Sequence, residues 1–246
     1  MVMCDTILKS GSDSAIIRIH NTNKAIAVTV DSSANYCKSF PLTGGKQVVC
    51  ENWRNLISVG AKPLAITNCL NFGNPENKEI MGEFVECLEG IKEACEFLDY
   101  PVVSGNVSFY NGTNQKNISP TPVIGGVGLI KKLSKPLNHN FTHNHSTLLV
   151  LGKTFGHLEQ SVLLREIYSI NTGMPPDINL NNEKNNGECI LKLINKSLVL
   201  SSHDISTGGM IISLAEMSIG SNIGIKIHKP KRLTNSINYF FGEDQA

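Results

Sequence analysis

Long apolar runs, paired cysteines and an excess of charge are all missing from this sequence of 246 residues. No segment approaches the roughly 20 apolar residues that a membrane-spanning helix needs, and the first residues lack the basic and apolar regions of a secretion signal. The formal net charge is +1, which disfavours a protein that holds nucleic acid on a broad basic face. We therefore expect a cytoplasmic protein with neither a membrane anchor nor a nucleic-acid partner.

The seven cysteines are odd in number and form no Cys-x-x-Cys pair. Neither a disulfide framework nor a zinc ribbon is indicated, and reduced, buried thiols are the simplest interpretation. His139, His143 and His145 lie close together in sequence, but no carboxylate or thiol supports a metal site there. Gly-x-Ser-x-Gly, His-Glu-x-x-His and Walker motifs are also missing, so the common hydrolase, zinc-protease and P-loop classes are not supported.

What the sequence does contain is the apolar periodicity of two modules with mixed strands and helices. We place the first module at residues 1–133, a polar linker at 134–146 and the second module at 147–246. The first module is predicted to read, in chain order, strands 15–19 and 25–31, a helix from about 43 to 60, a strand 63–67, a helix 79–98, and strands within 100–110 and 120–130. This order indicates an α+β layer.

The second module is predicted to be an α/β unit that is incomplete. Its expected elements are strands 147–151, 198–202 and 224–228 and helices 158–168, 188–195 and 210–219, with a polar loop through about Gly187. The chain stops directly after the polar segment GEDQA, which does not resemble a natural end.

The stretch PVVSGNVSFYN at residues 101–111 is the first candidate site. Gly105 would let the backbone approach a ligand, and the amide oxygen of Asn106 is a hard donor that suits magnesium. Ser108 lies two residues further, so on an extended chain it points to the same side as Asn106. A β-bulge or a turn in which Asn106 caps its own backbone is the alternative interpretation.

Two further stretches are candidates for ligand binding. NCLNFGNP is predicted as a loop that begins at Asn68 beyond a strand end, where α/β ligands commonly bind, although such residues also form ordinary turns. SSHDISTGGM places His203 and Asp204 at a strand end and Ser206 and Thr207 at a helix start, where backbone N–H groups can hold phosphate. An N-cap role for Ser206 or Thr207 and a purely structural role for His203 are the alternatives.

Taken together, the segments GGKQVVCENWRNLISVGAKPLAITNCLNFGNP, GIKEACEFLDYPVVSGNVSFYN, PTPVIGGVGLI, SSHDISTGGM and FFGEDQ resemble the phosphoribosylformylglycinamidine synthase family. They appear in the family's order and cover nearly the whole chain. The resemblance is to the second half of the synthetase subunit only. It implies an aminoimidazole ribonucleotide synthetase-like N-terminal module of a β-layer with helices, followed by a truncated α/β C-terminal module.

The resemblance implies an ATP-dependent carbon–nitrogen ligase that amidates formylglycinamide ribonucleotide in purine biosynthesis, with ATP and Mg²⁺ as cofactors. It places Gly105 near ATP, Asn106 at a metal-ligand position and Ser108 at a substrate contact. Asn68 stands where the family has an ATP-contacting aspartate, so the carboxylate charge is missing there. No catalytic residue is assigned, because the general-base histidine of the family belongs to the first half.

The implied partners are the missing first half of the synthase, a glutaminase subunit and a small bridging subunit. Self-association is predicted separately, because an isolated half would expose an apolar face of its sheet to water. On this basis the isolated chain is not expected to be a competent synthase. One alternative is a non-catalytic nucleotide-binding or scaffold fragment of the same ancestry. A second is a stand-alone relative such as a thiamine-phosphate kinase or a selenophosphate synthetase, but the region VTVDSSANYC fits the purine enzyme better.

Overall fold

The computed structural model describes residues 5–8, 11–114, 116–133, 137–228 and 235–244. The first part of the chain contains one five-stranded sheet and a small hairpin. The strands are β1 (Ala15–Arg18), β2 (Ala25–Ser32), β3 (Lys62–Asn71), β4 (Val102–Ser108), β5 (Gly112–Thr113), β6 (Lys116–Asn117) and β7 (Thr121–Ile130). The sheet has the order β1-β2-β7-β3-β4, in which only β3 and β4 run parallel.

Three helices cover one face of this sheet: α1 (Ala34–Ser39), α2 (Pro41–Ser58) and α3 (Lys78–Leu98). Pro41 begins α2 at a position where a helix does not need the missing N–H. Asn77 begins α3, since its side chain accepts the N–H of Glu79 at 2.9 Å. The apolar stripes of α2 and α3 pack into the core with the inner face of the sheet, so the opposite face of the sheet stays open.

The predicted strands and helices of the first module are present in the predicted order, but the hairpin of β5 and β6 lies where a turn was predicted, and two further details were wrong. Helix α1 was not predicted; it lies between β2 and α2. Strand β3 continues to Asn71, so Asn68 lies within a strand and not in a loop. The turn-forming residues there are extended because β3 pairs with β7 on one side and β4 on the other, and this pairing overrides the local preference of asparagine.

A β-bulge does occur in β4, but it precedes the Ser-Gly-Asn stretch. Ile66 pairs with Val102 and Thr67 pairs with Ser104, so Val103 is an extra residue on β4. From Ser104 onward the strand is regular. The alternative interpretation of Gly105–Asn106 as a bulge or a turn is therefore wrong.

The second part of the chain contains α4 (Leu180–Asn195), α5 (Gly209–Ser221), α6 (Ser236–Phe241) and a short π-helical segment (Leu163–Ile167). The predicted helix 188–195 begins eight residues earlier, where Asn179 accepts the N–H of Asn182 at 3.0 Å. The helix predicted at 158–168 is reduced to the π-helical segment, and the helix predicted at 210–219 corresponds to α5.

The three strands predicted at 147–151, 198–202 and 224–228 are not formed in the described chain. Their apolar patterns are strand-like, but a strand requires a neighbouring backbone to accept and donate its hydrogen bonds. These segments instead lie around an apolar cavity of about 990 Å³. None of the helices in the described part of the chain combines the length and the hydropathy of a membrane-spanning segment.

Helix α4 packs against the helical layer of the first module. Arg54 of α2 and Glu183 of α4 form an ion pair in which one guanidinium nitrogen lies 2.9 Å from both carboxylate oxygens. Lys184 donates to the carbonyl of Phe97 at 3.1 Å. The two parts are thus joined by buried polar contacts, while the division at residues 133 and 147 stays a prediction.

Candidate functional site

The candidate site lies at the carboxyl end of the parallel strands β3 and β4. In their register Asn68 is opposite Gly105, Cys69 is opposite Asn106 and Asn71 is opposite Ser108. Strand β4 pairs with β3 alone among the described strands, so its other edge is uncovered. Backbone N–H and C=O groups along that edge are available for a partner or ligand.

Gly105 makes the closest backbone contact of the site. A Cβ atom at this position would overlap the side-chain oxygen of Asn68, and it would lie 2.7 Å from the Asn68 carbonyl oxygen. Only glycine allows this approach without a shift of β3. The glycine therefore accommodates the Asn68 side chain in this structure; its predicted contact with a nucleotide stays a prediction.

Asn106 and Ser108 lie on the opposite face of the sheet from this contact, because successive residues of a strand alternate between faces. The Asn106 side chain is exposed. Ser108 is partly buried, and its hydroxyl accepts a hydrogen bond from Nδ2 of Asn111 at 3.1 Å. The four predicted site residues thus form two pairs, Asn68 with Gly105 on the helical side and Asn106 with Ser108 on the open side.

An open groove of about 390 Å³ lies beside Asn68 on the helical side. The carboxyl end of α3 forms one wall, with Lys92 and Cys95, and the start of β4 forms the other, with Val102. The volume lies at the lower end of the range for small-molecule sites. A flat ring bound there would be close to the Asn68 amide and to the cationic side chain of Lys92.

A polar network beneath the sheet was not predicted from the sequence. Asp31 accepts hydrogen bonds from Nδ2 of Asn52 and of Asn55, each at 2.8 Å, and the Tyr100 hydroxyl donates to Oδ1 of Asn52 at 2.7 Å. Burial raises the pKa of Asp31, although these donors oppose the shift. Burial also raises the pKa of Glu51 to about 7, with Arg54 opposing. The helical side of the sheet therefore holds carboxyl groups that are poorly solvated.

His203 lies in a cluster of carboxylates. Its Nδ1 is 2.7 Å from Oδ1 of Asp13 and 3.5 Å from Oδ1 of Asp204, and its Nε2 is 2.9 Å from Oε2 of Glu216. Burial lowers the pKa of His203, but the carboxylates outweigh it and raise the value to about 9. Burial raises the pKa of Asp204 to about 6. The sequence indicated His203 and Asp204, whereas Asp13 was missed because it is distant in sequence.

Helix α5 begins differently from either alternative for the SSHDISTGGM stretch. Its N-cap is Gly208, so neither Ser206 nor Thr207 is the cap. The N–H of Gly208 donates to Oε1 of Glu243 at 2.8 Å, and the same oxygen accepts the N–H of Val162 at 2.7 Å. The carboxylate of Glu243, in the FFGEDQ motif, thus accepts a backbone N–H at the start of α5 that the sequence offers to a phosphate.

Comparison with known proteins gives consistent matches along the chain. Residues 11–130 match the family described as AIR synthase related protein, N-terminal domain. The chain is 59% identical over 245 residues to the phosphoribosylformylglycinamidine synthase subunit PurL of Pelagibacter ubique, covering 100% of this chain and 34% of that protein. It is 48% identical over 246 residues to the same subunit of Bradyrhizobium diazoefficiens, covering 100% of this chain and 33% of that protein.

Two solved structures share the fold. T. maritima PurL complexed with FGAR has a TM-score of 0.61 at 27% identity, covering 88% of this chain and 31% of that chain. AaThiL complexed with AMPPCP and TMP has a TM-score of 0.56 at 18% identity, covering 86% of this chain and 65% of that one, which shows a common fold alone. The chain spans about a third of the length of the curated relatives it matches. Residues 11–130 are therefore similar to the AIR synthase related N-terminal domain, and the whole chain is similar to about a third of the phosphoribosylformylglycinamidine synthase subunit PurL.

Proposed function

We propose that this chain supplies part of the ATP and substrate site of a phosphoribosylformylglycinamidine synthase. The observation that carries the proposal is the uncovered edge of β4, where Gly105 and Asn106 face opposite sides of the same backbone. A nucleotide lying across this edge would meet the glycine backbone and the groove beside Asn68 on one side and the amide of Asn106 on the other. T. maritima PurL has been solved with ATP, with AMPPCP and with FGAR, which supports the same ligands here.

The open side of β4 suits a magnesium ion bound to phosphates. The Asn106 amide is exposed and offers one neutral oxygen, so waters and phosphate oxygens would complete the octahedral shell that Mg²⁺ prefers. Bound there, the ion would neutralise charge on the transferred phosphoryl group. Ser108 follows on the same face and would orient the ribonucleotide through its hydroxyl, which Asn111 already holds in one direction.

The proposed reaction is an ATP-dependent amidation, in which the formamide-type oxygen of formylglycinamide ribonucleotide is phosphorylated and ammonia then displaces the phosphate. The residues of this chain would bind and orient the two substrates. We assign no general base here, so the remaining groups would come from the first half of the synthase, with ammonia supplied by a glutaminase subunit. The assignment of this chain to the second half stays a prediction from its motifs.

The Asn106→Ala variant is expected to bind ATP at least about tenfold more weakly in the presence of magnesium, because one charge-assisted contact to the metal is lost. Titration calorimetry of the purified chain with ATP and MgCl₂ measures this. Without magnesium the variant and the parent chain should bind alike.

Asn181→Ala is the matched control, since Asn181 is an exposed asparagine on α4, away from β4. It should leave ATP affinity unchanged. Equal affinity of the parent chain and Asn106→Ala would contradict the assignment of Asn106 to the metal. The non-catalytic scaffold alternative predicts no magnesium-dependent binding in any of the three proteins, and the amide at Asn68 in place of an aspartate favours it.

Self-association is the second part of the proposal. The face of the sheet that the helices leave open carries Val30, which is 66% exposed, beside Val28 and Val127. A second copy that packed on this face would remove apolar surface from water. Light scattering after gel filtration should therefore give twice the mass of one chain.

The Val30→Asp variant should elute as a monomer, because it places a charge in the centre of the proposed contact. Ile219→Asp is the control: Ile219 is 80% exposed on α5 and lies outside this face. Monomeric parent protein, or a monomer produced equally by Ile219→Asp, would argue against association through the sheet.

A further inference from the structure

A second site lies where the segment before β1 meets the residues before α5. Nδ1 of His203 and one oxygen each of Asp13 and Asp204 all lie within 4.8 Å of one another. Atoms at the usual bond lengths of about 2.0–2.2 Å from one ion lie at most about 4.4 Å apart, so these side chains need at most a small adjustment to hold an ion between them. The three residues come from distant parts of the sequence, and the fold alone brings them together.

Glu216 orients His203 so that Nδ1 faces the two aspartates. Nε2 of His203 is 2.9 Å from Oε2 of Glu216, so the proton on Nε2 is held by that carboxylate. Nδ1 is 2.7 Å from Oδ1 of Asp13 and 3.5 Å from Oδ1 of Asp204, and an ion bound at Nδ1 would displace the proton that the charged imidazole shares with Asp13. Proteins commonly orient a metal-binding imidazole in this way, with one ring nitrogen on the metal and the other donating its N–H to a carboxylate.

Two buried oxygens provide independent support. The side chains of Asp13 and Asp204 are only 3% and 6% exposed. In each of them Oδ2 has no hydrogen-bond partner within the described chain. A buried carboxylate oxygen without a partner is costly, and coordination of a metal is one of the ways in which proteins offset that cost.

The charges of the cluster also favour a bound cation. Three carboxylates, those of Asp13, Asp204 and Glu216, surround one imidazole. The positive charge of Arg54 lowers the pKa of Asp204, but the Arg54 guanidinium is already paired with the Glu183 carboxylate. Even with a charged His203 the cluster keeps excess negative charge, which a divalent cation would compensate.

We propose that Asp13, His203 and Asp204 bind a divalent transition-metal ion, with Glu216 as a positioning residue. One imidazole and two carboxylates form a borderline donor set that suits Zn²⁺ or Mn²⁺ better than Mg²⁺. The residues of this site are separate from Asn106. The ion is bound by one residue near the start of the chain and by two residues just before α5. It therefore crosslinks the two parts of the protein.

Titration calorimetry with ZnCl₂, after treatment with a chelator, tests the proposal on the intact chain. We expect one Zn²⁺ per chain and a higher midpoint of thermal unfolding in its presence, because the ion binds the folded protein. X-ray absorption at the zinc edge should show nitrogen and oxygen ligands without sulfur. Failure of the parent chain to bind Zn²⁺ stoichiometrically would overturn the site, and the cluster would then be a protonated histidine among carboxylates.

Variants locate the ion. Asp13→Asn and His203→Gln should each abolish stoichiometric Zn²⁺ binding, and Glu216→Gln should weaken it by about 10–100-fold, as expected for a group that orients a ligand. The double variant His143→Gln/His145→Gln is the control, since these exposed histidines lie outside the cluster. Loss of binding in that control, or sulfur ligands in the absorption spectrum, would place the metal elsewhere. The absorption experiment uses the parent chain and does not depend on the folding of any variant.

Discussion

Glu183→Ala is expected to lower the free energy of unfolding by about 3–5 kcal/mol. The change removes the carboxylate that faces Arg54 and leaves the guanidinium in a position where its side chain is only 10% exposed. Burial alone would lower the pKa of Arg54, but Glu183, Asp204 and Glu51 raise it, so the guanidinium stays charged. Urea denaturation followed by circular dichroism measures the loss as a lower midpoint.

Two further variants separate this ion pair from other effects. Glu188→Ala on the same helix removes an exposed partner of Lys192 and should change stability by less than about 1 kcal/mol. The double variant Arg54→Met/Glu183→Leu should recover most of the stability, because two apolar side chains leave no buried charge. A double variant as unstable as Glu183→Ala would mean that the lost stability comes from packing instead.

Gly126→Ala is expected to lower the free energy of unfolding by about 3 kcal/mol. A Cβ atom at this position of β7 would overlap Oδ1 of Asn52 and the hydroxyl of Tyr100. Both atoms belong to the hydrogen-bond network that holds Asp31, so they cannot move without breaking buried bonds. Thermal and urea unfolding should both show the loss.

Gly82→Ala is the opposite case. Gly82 is an exposed residue inside α3, and a Cβ atom there would have no neighbour within 4 Å. Alanine favours a helix interior by roughly 0.8–1 kcal/mol over glycine, so this variant should be more stable than the parent chain. If Gly126→Ala and Gly82→Ala changed the free energy of unfolding by the same amount, the close contacts around Gly126 would not be the reason why an alanine destabilises that position.

The fold of the first module could be predicted because its apolar spacing is strong and local. The stripe of α3 and the alternation in β2 each identify an element without reference to the rest of the chain. The second module was predicted less well, since an apolar run such as 147–151 has the same pattern whether or not a neighbouring strand is available. The sequence predicts only the second half of α4, because the polar first half of this helix has the composition of a loop.

The candidate site was only partly predictable. Glycine and amide residues in sequence indicated β4, but the contact between Gly105 and Asn68 depends on the register of two strands, which no local pattern contains. Asp13 is an unremarkable aspartate in sequence. Its closeness to His203 results from the packing of distant segments, so only coordinates can reveal it.

The single extra residue at Val103 decides which side of the sheet Asn106 and Ser108, the proposed metal and substrate contacts, occupy. Without it, Asn106 would stand opposite Leu70, a core residue, and would turn its amide toward the helices. Loss or gain of one residue between Val102 and Ser104 would therefore turn the side chains of the rest of β4 to the opposite faces of the sheet. The number of residues in this segment, more than their identity, sets the direction of Asn106 and Ser108.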